Sequence, residues 1–524
     1  GIYKGTGGIE FNKTYPTKIC GLKGHEKDTV FSRTDGNIIL KQTIYCSPST
    51  IDNSERIIEN ISFTELVSFV NCPNFKMVNC YRNGNKLDDF CISNYKFDVG
   101  TNKIFSNVNH ALFVAKPYAK AGNIVTVRIY GESRENSLVD VNVGNINIEG
   151  YCEAKIMRLG QNQDPNASDV YGAGYCLKLG KKFNGTLMNV DIVLAGCQKG
   201  IDIPALSVQS KKARLINVKA HNLSFPAIAA KNGVDDILVR VDNNHNIVRC
   251  VEDSSSSTGY LAHVYSKMFG TETSTYECSA SDVSALHNIH LTVRKPDESM
   301  SSSWEDTDGG RRHGIELYLD NDCDVILDSC EGYGSPWGFH NTRGIYVLGS
   351  PKLINCLGVG GGIGHRLHGI LCHDNSEAEL INCIGYASPF AYLTPSKFNQ
   401  HGVNFNGENS VGIKFQRMSA SKLTNCIGYG NDMPMGHGIH ADMRSFPKLV
   451  GCTGYYGGGK NSAGICLTEY ATMNVVGGYF GCHNRILEKT FKANNGKGMD
   501  YYPYLRPVRH DSNENDVLYA NHWE

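Results

Sequence analysis

A short phrase recurs through the last third of the chain. A Gly-Ile step opens an apolar run, and about 14 residues later a Leu-x-Asn-Cys-like step follows, as in GIYVLGSPKLINC (344–356), GILCHDNSEAELINC (369–383), GIKFQRMSASKLTNC (412–426) and GIHADMRSFPKLVGC (438–452). A looser copy, GIELYLDNDCDVILDSC (314–330), precedes these, and GICLTEYATMNVVGG (464–478) follows. Successive glycines lie 30, 25, 43, 26 and 26 residues apart. Short β-type runs at a period in the twenties, without helical heptads, are the signature of stacked solenoid coils.

Side chains alternate within each copy. Ile315, Ile345, Ile370, Ile413, Ile439 and Ile465 make one inward column, and Leu317, Val347, Cys372, Phe415, Ala441 and Leu467 a second. Between them Glu316, Tyr346, Leu371, Lys414, His440 and Cys466 point outward by the period-2 rule, with Tyr318, His373, Gln416 and Asp442 in the next outward column. A turn rich in Ser, Asn, Asp and Pro leads to a second strand, so two strands per coil are expected. The fold class is all-β, a right-handed parallel β-helix. Residues 1–60 lack the rhythm and are expected to cap the N-terminal end, residues 61–485 to form the coils with loop excursions, and residues 486–524 to close the other end.

Cys330, Cys356, Cys383, Cys426 and Cys452 share one repeat position among the 19 cysteines. Stacked about 4.8 Å apart, they read as small interior fillers rather than as a disulfide framework, which implies synthesis in a reducing cytoplasm. A formal charge of −1 gives no basic field for a nucleic-acid partner. The absence of an uninterrupted 18-residue apolar stretch argues against membrane insertion. His437 with His440, and His365 with His368, are three apart, a spacing that puts strand residues on opposite faces, so no metal is expected. GVGGGIG (358–364) and GYYGGGKNS (454–462) lack the spacing of nucleotide-binding loops, and no cofactor is expected.

The repeated Gly-Ile strands, Asn and Ser turns and Cys column resemble the pectin-lyase-like superfamily of right-handed parallel β-helices, and within it the bacteriophage tailspike depolymerases, over about residues 60–485. That resemblance implies a homotrimer on the virion, acting outside the cell on a bacterial surface polysaccharide such as a capsule or O-antigen.

In a coil stack the loops before successive Gly-Ile steps come together on one flank. They carry Trp304, Glu305, Asp306, Asp308, Arg311, Arg312 and His313, then Trp337, His340 and Arg343, then His365, Arg366 and His368. Indole faces pack on sugar rings, Arg forks grip carboxylates, and neighbouring carboxyl groups divide acid from base roles. Endo-glycosidic hydrolysis is the leading expectation. Glu305, Asp306 and Asp308 would form the acid/base pool, joined by His340 from the next loop and by Glu316 and Asp442 on the strand face. Trp304, Trp337, Arg311, Arg312, His313, Arg343, Tyr346, His365, Arg366 and His440 would hold substrate. A lyase using a Tyr or His base with an Arg neutraliser, drawn from His340, His440, Tyr346 and Arg343, is the alternative on the same fold. A non-catalytic glycan-binding adhesin is a further one.

Overall fold

A computed structural model describes residues 56–63, 67–70, 74–159, 175–198, 203–226, 312–335, 342–361, 366–387, 410–430, 436–456 and 463–482, together with short strands elsewhere. The chain divides into two compact units, one formed by 1–135, 143–156 and 182–190, the other by 136–142, 157–181 and 191–524.

The first unit begins with three parallel ladders. Ile2–Gly5 pairs with Val30–Arg33, and that strand with Ser62–Phe63. Ile9–Phe11, Ile38–Gln42 and Val67–Val70 form the second ladder. Lys18–Cys20, Arg56–Glu59 and Phe75–Val78 form the third. Parallel pairing therefore reaches into the first 60 residues, where the sequence carries no repeat. The unit also holds a helix, Val108–Lys120, which the repeat gives no sign of. The Asn107 side chain accepts from the His110 amide at 2.8 Å, and buried Glu135 accepts from the Val108 amide at 2.6 Å. A carboxylate there complements the positive end of the helix.

The second unit is a parallel β-helix. Its Gly-Ile strands extend one sheet that begins with Val139–Val141, Leu177–Leu179 and Leu206–Val208 and continues through Ile315–Tyr318, Arg343–Leu348, His368–His373, Val411–Gln416, His437–Ala441 and Ile465–Leu467. The inward columns are as the alternation predicts: every Ile and every partner two residues on is buried. A second ladder stacks Ile326–Asp328, Lys352–Ile354, Glu379–Ile381, Lys422–Thr424 and the start of Lys448–Tyr456. A third stacks Glu331–Tyr333, Leu357–Val359, Ile384–Tyr386, Ile427–Tyr429 and the end of Lys448–Tyr456. Each of these coils has three strands, not two. The last, three residues long, follows the second within three residues, so the sequence reads the two as one run.

The Leu-x-Asn-Cys step is the corner between the second and third ladders. Asn355, Asn382 and Asn425 all sit at φ 52, in the left-handed region that Asn tolerates better than most residues. Their amides donate to the next coil, Asn355 to Ile381 O and Asn382 to Thr424 O, each at 2.9 Å. The following cysteines turn inward and are buried, with Cys356 Sγ 3.3 Å from Ile354 O.

The Gly-Ile glycine has a different cause. A Cβ on Gly344 would lie 2.2 Å from Val359 N, and one on Gly332 would lie 2.3 Å from Gly344 O. The Gly-Ile sheet and the third ladder touch backbone to backbone here. Gly344→Ala is expected to cost at least about 1–3 kcal/mol, because the rigid backbone must move to admit the methyl group. Urea unfolding of the variant beside the native chain checks it, and an unchanged midpoint would contradict the close approach.

Candidate functional site

Contact between the two backbones makes the strand irregular at its glycine. Arg343 pairs with His368 and Ile345 with Ile370, but the intervening glycines are skipped; the same gap recurs between Val411 and His437. The residue before each glycine consequently shares a face with the residue two positions after it. The rings of His437 and His440 are 5.1 Å apart, and the Arg343 guanidinium lies 4.6 Å from the centre of the Tyr346 ring. The expectation that residues three apart face opposite ways holds for a regular strand and fails here.

The outward column keeps its predicted register: Ser207, Glu316, Tyr346, Leu371, Lys414, His440 and Cys466 are successive cross-strand neighbours. This face is not solvated. Of the seven, all but half-buried Tyr346 are buried, as are His313, Arg343, His368, His373, Gln416 and Asp442 beside them. Buried polar side chains need partners, and these pair with one another.

Two centres emerge. In the first, the Arg343 amide and Nη1 each face a ring nitrogen of His313 at 3.2 Å. The Tyr346 hydroxyl lies 3.2 Å from His373 Nδ1, which also meets Asp374 at 2.8 Å. His313 and Arg343 are 30 residues apart in sequence, so this is one place where the ends of successive loops do come together. In the second, Lys414 Nζ lies 2.9 Å from Asp442 Oδ2, which also accepts from Gln416 at 3.5 Å. His440 Nε2 is 2.9 Å from the Thr468 hydroxyl.

Burial holds the imidazoles of His368, His373 and His440 neutral. It pushes His373 down to about 4 against the pull of Asp374. It also depresses His368, helped by Lys414 and Arg343, and His440, helped by Lys414 and His437. Three buried atoms, His368 Nδ1, His440 Nδ1 and Asp442 Oδ1, have no hydrogen-bond partner among the described residues.

The remaining sequence-predicted residues fall as follows. Arg312 is fully buried and donates to Ser224 Oγ at 2.9 Å. Glu316 accepts from Ser207 at 3.3 Å, and Arg366 is half-buried near His368. Trp304, Glu305, Asp306, Asp308, Arg311, Trp337, His340 and His365 lie outside the described residues. His368 was named in the loop set and Lys414 in the outward column, but neither was given a catalytic or binding role from sequence. For His368 the available signal was its position before Gly-Ile, equivalent to that of Arg343. Among the described residues no group of three or more His, Cys, Asp or Glu is placed to hold a metal, and no helix is long and apolar enough to cross a membrane.

A second aromatic feature lies on the third ladder, where Tyr386, Tyr429 and Tyr455 stack with centroids 4.5 and 5.0 Å apart. Between neighbours the ring faces cover each other, which suits a structural column better than a sugar platform.

No protein-family model matches the chain, and no curated protein matches it. Beyond the stacked parallel architecture itself, kinship with pectin-lyase-like proteins rests on the sequence resemblance.

Two expectations follow. The unfolded chain takes up protons on His368, His373 and His440 near the usual value of about 6.5, whereas the folded chain resists them. Their contribution to stability is therefore full above about pH 6.5 and falls as the pH drops toward the folded value of His373, about 4. Denaturant midpoints across that range should decline on acidification. Lys414→Met strands a buried carboxylate and is expected to cost about 3–5 kcal/mol, much of which Lys414→Met with Asp442→Leu recovers; chemical denaturation of single and double variants tests this.

Proposed function

We propose that this chain binds an acidic bacterial surface polysaccharide and cleaves it by β-elimination. The supporting observation is the Arg343–Tyr346 centre, a guanidinium stacked on a phenol with the His313 ring and the neutral imidazole of His373 around it. A guanidinium neutralises a uronate carboxylate and makes the neighbouring C–H more acidic. A phenol and an imidazole move protons to and from carbon and oxygen.

Hydrolysis asks for something else, two carboxyl groups about 5 to 9.5 Å apart. Glu316 and Asp442 are separated by four coil steps, about 19 Å at the spacing of parallel strands. Asp442 is also committed to Lys414. Hydrolytic cleavage would thus fall to Glu305, Asp306 and Asp308, outside the described residues.

The tailspike resemblance extends the proposal to a virion-borne homotrimer that meets capsule or O-antigen at the host surface.

Incubation with uronate polymers (polygalacturonate, alginate and hyaluronan) is expected to give products with ultraviolet absorbance from a new carbon–carbon double bond. Arg343→Ala should lower kcat/KM about 10²–10³-fold on the polymer that reacts. Reducing ends without that absorbance would mean hydrolysis, and tight glycan binding with no product would mean an adhesin.

A further inference from the structure

His368 stands across the strand pair from Arg343, one coil further on. We propose that His368 is the base that removes the proton alpha to the carboxylate held by Arg343, acting through Nδ1; this rests on the β-elimination reading. Three independent facts carry the assignment.

The first is position. Arg343 and His368 occupy the same place in consecutive strands, so the two flank any group bound between those coils. The second is an empty valence. Nδ1 of a side chain only 1% exposed has no hydrogen-bond partner among the described residues. A buried ring nitrogen is normally satisfied, and one left open beside a cation suits a group that waits for substrate. The third is the surroundings. The charged and titratable groups that bear on the ring are Lys414, Arg343, His440 and Arg366, each positive or neutral. With burial, they keep the imidazole in its basic form well below ordinary pH.

The step balances without a co-reactant. In the tautomer with hydrogen on Nε2, the Nδ1 lone pair takes the alpha proton. The C–H electron pair becomes the new C=C bond as the β carbon–oxygen bond breaks. The departing oxygen takes a proton from the Tyr346 hydroxyl, and proton exchange with water resets Tyr346 and His368. One glycosidic bond is lost; one double bond and one hydroxyl end are formed. Acid and base are then separate side chains in separate environments. His368 is shielded in the unliganded chain, so productive binding must uncover it.

The test uses the full chain and the uronate polymer that the native protein cleaves, with ultraviolet initial rates from pH 4 to 9. His368→Gln is expected to lower kcat by about a hundredfold or more, to abolish the acid limb of the pH profile and to leave KM within about twofold. The native chain alone gives a second reading that does not depend on how the variant folds: the acid limb of kcat/KM, which reports the unliganded chain, must fall below the ordinary imidazole value of about 6.5. A variant that keeps its acid limb and loses less than about threefold in kcat overturns the role of His368 and leaves elimination standing. So does a native acid limb at or above 6.5. Absence of ultraviolet product from every polymer instead removes the elimination reading itself.

Discussion

Backbone meets backbone at one corner of each coil, where a glycine of the Gly-Ile strand lies against a glycine of the third ladder. No side chain fits there. That single steric demand gives the recurring Gly-Ile step and interrupts strand pairing at the glycine. It also carries the preceding residue onto the outer face, so that Arg343 meets Tyr346 and His437 meets His440. The chemistry proposed for this face depends on a defect in the strand, and the defect depends on the absence of a methyl group.

Much of this was legible in the chain. The inward columns follow from alternation, and the outward column from Glu316 to Cys466 has the register that the repeat implies. The Cys column is interior, as small stacked residues should be. Other features were not legible. The strand Leu357–Val359 starts three residues after Lys352–Ile354 ends, so the two read as one run. The same-face placement of His437 and His440 breaks the period-2 rule through contacts made outside the strand. The burial of Lys414 and Asp442 cannot be read from residue types, since an ion pair looks identical in sequence whether it is solvated or enclosed.

Enclosure changes what such groups do. On a wet surface the Lys414–Asp442 pair would contribute little to stability. Away from water its partners become obligatory, and neighbouring imidazoles lose their charge. The outer face of the Gly-Ile sheet is therefore a second, polar interior, held together by matched donors and acceptors. The few atoms left unmatched on His368, His440 and Asp442 mark where that matching stops.

A pile of parallel strands has a hazard at its finish: the last coil offers bare amides and carbonyls to any other chain able to extend it. Here two strands running the opposite way meet the final coil, Tyr504–Leu505 against Met473 and Asn474, and Leu518–Ala520 against Ile465–Leu467. Reversed direction spoils the template, because a newcomer laid on these strands cannot continue the coil. These two strands thus occupy edges that the final coil would otherwise leave open to another chain.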